Sequence, residues 1–126
     1  MSTRWVSVAL LATLSLGAPA HDIFDFDDWM QRIEDGSLDL QRHIAARNTD
    51  GAAAAARELE ELYALMEEFF TNRESSADAI RYSREGRDFA RRALRELDAG
   101  RFAAARRDAL SIAHGCRDCH SSYKPL

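Results

Sequence analysis

The chain has 126 residues, with 17 basic and 21 acidic side chains and a formal net charge of −4. That length suits one domain and leaves little for a second. The acidic balance argues against a nucleic-acid partner, since Lys and Arg are scattered along the chain and form no single stripe.

The first stretch stands apart from that domain. Met1-Ser2-Thr3-Arg4 is a short positive start, Val6 to Gly17 is an apolar run, and Ala18-Pro19-Ala20 is an A-x-A cleavage signal. Together they predict a secretory signal peptide over 1–20, cut before His21, and a mature domain over 21–126. An uncleaved membrane anchor is the other reading of the same segment. The apolar run is shorter than the roughly 20 residues a spanning helix needs. No later stretch is long enough, so no membrane span is expected after cleavage. Loss of Arg4 with the leader moves the net charge from −4 to −5.

Four amphipathic helices follow. Asp22, Asp25, Asp27 and Asp28 open the first, where carboxylates suit the positive end of a helix dipole. Phe26, Met30, Ile33, Ser37, Leu40 and Ile44 recur at spacings of four and three, which is one helical face. Asn48-Thr49-Asp50-Gly51 breaks that pattern with residues that tolerate positive φ. The second helix opens on an Ala run, Ala52 to Ala56. It carries Ala55, Leu59, Leu62, Met66 and Phe69, with Tyr63 and Phe70 beside them.

A break at 71–76 offers Ser75 or Ser76 as the cap of the third helix. Its stripe is read as Ile80, Ser83, Arg87, Ala90, Leu94 and Leu97, and Gly100 is the natural residue just past its end. An inward Arg87 needs a negative partner, or its head must reach solvent. The favoured reading is a solvent-reaching head or a pair with a carboxylate of the bundle. The fourth helix carries Phe102, Ala105, Ala109, Ala113 and Cys116, flanked by Leu110 and Ile112. No strand alternation is visible. The expected fold is all-α, an antiparallel up-down-up-down four-helix bundle.

The fourth helix runs into Cys116-Arg117-Asp118-Cys119-His120, a C-x-x-C-H run. This is the attachment signal of a c-type haem. Two thiols can add across two porphyrin vinyl groups, and the following imidazole can ligate the iron. At spacings of three and four, Cys116, Cys119 and His120 share one helical face. A redox-active disulfide and half a zinc site are the competing readings. The first is expected beside a βαβ pattern, and the second lacks a further ligand pair: only His21, His43 and His114 remain as nitrogen ligands. The chain holds only these two cysteines, so no others are left for a structural disulfide framework.

A leader, four helices and a terminal C-x-x-C-H-x-x-Tyr-Lys run, ending in Tyr123 and Lys124, resemble the class II c-type cytochromes. These are the cytochrome c′ proteins and their low-spin relatives. The terminal motif is the specific part of the likeness. The resemblance implies one haem c held by thioethers from Cys116 and Cys119, with His120 as the proximal iron ligand. It implies a periplasmic protein that turns over no substrate. Six-coordinate members, with a Met in the first helix, carry electrons between redox partner proteins. Five-coordinate members bind small gases such as NO and CO. Members often pair as homodimers through the first two helices.

The sixth iron ligand is the open position. In an antiparallel bundle the motif shares one end with the start of the first helix and the end of the second. Met30 lies at that level, on the apolar stripe, and is the candidate distal ligand. Met66 is at the same end and is read as packing. Ile33 is the apolar alternative over an open iron. His43 lies about 20 Å farther along the first helix, too far to reach. His114 shares the helix of His120. His21 would have to fold back. Tyr63, Tyr82, Phe69 and Phe89 are read as core or pocket packing.

Overall fold

The computed structural model describes residues 23–73 and 77–122. They form four helices, α1 (Ile23–Ala45), α2 (Thr49–Asn72), α3 (Ala77–Asp98) and α4 (Phe102–Ser122). No strand occurs among the described residues. The leader, its cleavage site, His21, the Ser75/Ser76 cap and the Tyr123-Lys124 pair lie outside them.

Connections of three or four residues cannot span a helix length, so consecutive helices run antiparallel. Each helix packs on its sequence neighbours, and α1 meets α4 to close the bundle. That closing seam is the sparsest of the four contacts. No described helix is long and apolar enough to cross a membrane.

The turn after α1 differs from its expected form. Helix α2 already begins at Thr49, so Asp50 and Gly51 belong to its first turn. Asn48 is the cap: its Oδ1 accepts from the Gly51 N–H at 3.0 Å. Gly51 is there for space, because a Cβ would come within 2.6 Å of Asn48 Nδ2 and of His43 Nδ1. The positive φ falls on Arg47, at 53°. Arg47 N–H bonds Ile44 O, and Asn48 N–H bonds His43 O. This is a Schellman end with Arg in the position that glycine usually takes. The end of α3 uses the same motif with the expected residue, Gly100, at φ 72°.

The core is built unequally. Helices α1 and α2 supply its large residues, including Ile33, Leu40, Leu59 and Leu62. Helix α3 turns inward Ala79, Ser83, Gly86, Ala90, Ala93 and Leu97. That face is rotated from the expected one: Ile80, Arg87 and Leu94 sit at its half-buried margin. Small residues let α3 approach α2 closely, and larger neighbours cover the seam. Ser83 meets its hydrogen-bonding need by donating to Ala79 O at 2.9 Å. Arg87 pairs with Glu67 at 2.9 Å, the bundle-carboxylate outcome anticipated for it. On α4 the buried residues are Ala105, Asp108, Ala109 and Ile112. Buried Asp108 is held by Arg92, whose guanidinium reaches one carboxylate oxygen at 2.8 and 3.2 Å.

Candidate functional site

The last turns of α4 share the bundle end where α1 starts and α2 stops. An aromatic cluster gathers at this end from both helices. Phe26 lies 4.6 Å from Phe69 and 5.7 Å from Phe70, ring centre to ring centre. Trp29 meets Phe69 edge-on at 6.3 Å. Such tilted and edge-to-face geometries suit aromatic quadrupoles. Trp29 is buried, yet it escaped the sequence reading, which ran its stripe through Phe26 and Met30.

Cys116 turns toward the core and packs against it. Its Sγ lies 3.7 Å from the Tyr63 hydroxyl, across the bundle from α2. Tyr63 reaches that place because α3 carries a glycine opposite its ring. A Cβ on Gly86 would come within 2.5 Å of Tyr63 Cε1 and Cζ. Gly86, Tyr63 and Cys116 thus form a stack in which a missing side chain on α3 aims a hydroxyl at a thiol on α4. Tyr63, Tyr82, Phe89, Gly115 and Cys116 surround a cavity of about 40 Å3.

Cys119 is half-buried, one turn later. Both cysteines are free thiols. Burial pushes both thiols above their ordinary value. Nearby Glu34 adds to the effect on Cys116, while the Tyr63 hydroxyl partly offsets it. Burial likewise raises the Tyr63 phenol, and the adjacent Cys116 raises it further. These are the surroundings of quiet thiols. An attacking thiolate needs a depressed value.

His120 completes the face. Its Nε2 is buried and has no hydrogen-bond partner among the described residues. A buried imidazole nitrogen without a partner costs free energy unless something binds it. No three His, Cys, Asp or Glu side chains converge on a metal position among the described residues. No protein-family model, curated protein or solved structure matches the chain.

One core-packed thiol, one half-buried thiol and an imidazole nitrogen unpartnered among the described residues make up the donor set that a covalently held haem would need, so the residues fit that group. The space does not yet fit it. A cavity of about 40 Å3 is far below the 300–1,000 Å3 usual for ligand sites. A macrocycle at Cys116 therefore requires the side chains at this end to repack.

The other predicted positions separate cleanly. Ile33 and Met66 are buried in the core, while Met30 is half-buried against it. His43 sits at the far end of α1, its Nδ1 beside Asn48 Nδ2 at 3.1 Å. His114 is exposed and contacts Arg117. Tyr82 and Phe89 line the small cavity, as packing residues should.

Proposed function

We propose that the chain is a c-type cytochrome of the class II kind, a periplasmic carrier of single electrons. Cys116 and Cys119 would hold one haem c through thioethers, and His120 Nε2 would be the proximal iron ligand. The observation that carries this reading is the buried His120 Nε2, unpartnered among the described residues, one turn from the core-packed Cys116 and next to the half-buried Cys119. The raised thiols favour it over a thiol-disulfide enzyme, whose attacking cysteine works as a thiolate.

When bound, the haem would supply a reversible one-electron change at iron. The chain's own part is to fix, shield and tune. His120 would offer the lone pair of a buried ring nitrogen on a half-buried side chain. Packing of Cys116 against the core would lower the local dielectric at the attachment and so shift the potential. Met30 on α1 would be the second iron ligand, and a thioether in that role would raise the potential.

A second reading draws on one observation: Ile33 is only 2% exposed, whereas Met30 is half-buried. An apolar Ile33 over an open iron would suit a small-gas binder. The spectrum of protein matured in a haem-competent periplasm tests both. Haem resistant to acid-acetone extraction is expected, and its absence would end the cytochrome reading. A low-spin oxidised form and a reduced form that refuses carbon monoxide support Met30, provided Met30→Ala opens the iron. A high-spin form that takes up the gas at once assigns the distal face to Ile33.

A further inference from the structure

The opposite end of the bundle holds a feature the haem motif leaves unused. A cleft of about 670 Å3 lies between the last turns of α1 and the first turns of α4. Ile44, Phe102 and Leu110 give it an apolar floor, and Arg42, Arg47 and Arg106 stand around it. No carboxylate lines it among the described residues. An adjoining hollow shares Arg47 and Phe102, adds Arg101 and Arg107, and has no carboxylate in its lining either. In a chain whose acids outnumber its bases by 21 to 17, such a concentration of arginine is out of proportion.

The pairing of these arginines is uneven. Arg42 is taken by Asp39 and Arg101 by Glu96. Arg47 and Arg106 have no ion-pair partner among the described residues. Arg47 lies over the Phe102 ring, 5.0 Å from its centre. It also holds the left-handed conformation at the end of α1, where the matching turn of α3 uses Gly100. A residue with a Cβ is disfavoured there. The strained backbone thus presents a guanidinium at the mouth of the cleft.

We propose that this cleft binds an anionic amphiphile: a carboxylate or phosphate head held by Arg47 and Arg106, with an apolar body lying on Ile44, Phe102 and Leu110. The volume falls within the 300–1,000 Å3 of small-molecule sites. Guanidinium forks match carboxylate and phosphate oxygens in pairs. An exposed Leu110, 40% accessible, gains cover from such a body. The site is independent of the haem proposal, since it uses none of the same residues.

The test titrates the intact protein with laurate below its micelle concentration, by calorimetry. Saturable one-to-one binding that weakens with added salt is expected. Arg106→Gln should weaken it roughly ten- to a hundredfold, the loss expected for one charged hydrogen-bond partner. Arg47→Gly separates binding from structure: it should raise the thermal midpoint, by relieving the left-handed strain, while weakening laurate by a similar factor. Cosedimentation with phosphatidylglycerol vesicles, against phosphatidylcholine vesicles, distinguishes a lipid headgroup from a free amphiphile. Binding in either arm that both substitutions weaken sustains the site and names its source. Absence of binding in both arms, or binding indifferent to Arg47 and Arg106, overturns it.

Discussion

Gly86, Tyr63 and Cys116 carry a sharp expectation for single substitutions. Tyr63→Phe removes the hydroxyl that meets Cys116 Sγ and keeps the ring. In the proposed cytochrome it should leave the helical signal unchanged but raise the fraction of haem attached through one cysteine, read from the pyridine haemochrome band. Gly86→Ala should do the same and also destabilise, because the new Cβ meets the ring at 2.5 Å. Overpacking of that sort costs about 1–3 kcal/mol. In haem-free protein the same cluster sets a pH dependence. Cys116, Cys119 and Tyr63 are all raised in the native chain, so it still holds protons that the unfolded chain has released. Stability should therefore be full below the ordinary thiol value and fall as pH rises from about 8.5 upward. Urea midpoints across that range check the slope. A flat profile would mean the thiols are solvated. The shared helical face of the motif was legible in the chain, because spacings of three and four bring Cys116, Cys119 and His120 to one side of α4. The stack was not: nothing local says that a glycine on the third helix faces a tyrosine on the second.

Helices were legible as elements, and their faces only in part. The second helix reads correctly because large apolar residues, Leu59, Leu62, Met66 and Phe69, mark its inward face beyond the opening alanines. The third misleads for the opposite reason. A search for apolar bulk selects Ile80 and Leu94, yet the interface takes Ala79, Gly86 and Ala93, seven apart, where backbones come close. Trp29 was missed because the buried stripe of α1 is wider than a single row of spacings. These assignments predict unequal costs. Leu59→Ala should lose about 2–5 kcal/mol in denaturant titration, being fully buried. Leu110→Ala, on the exposed flank, should stay within about 0.5 kcal/mol. Asn48→Ala should cost about 1 kcal/mol by uncapping α2. Equal losses at Leu59 and Leu110 would contradict the described packing.

At the scale of the bundle, neighbours in sequence are neighbours in space, apart from one seam. The contact of α1 with α4 joins the two ends of the described chain and is the thinnest. Most interfaces thus arise from adjacent hairpins, the low-contact-order regime in which chains fold quickly. The seam differs, because it needs the whole chain before it can close. It should also be the first part to come undone. Native-state hydrogen exchange reports such openings directly. Amide protons of α1 and α4 should exchange ahead of those in α2 and α3, at a free energy below that of global unfolding. The sulfur of Cys116 and the imidazole of His120 both sit on one leaf of that hinged door. The proposed haem, for which the closed leaf leaves only about 40 Å3, would have its easiest way in when the leaf swings out.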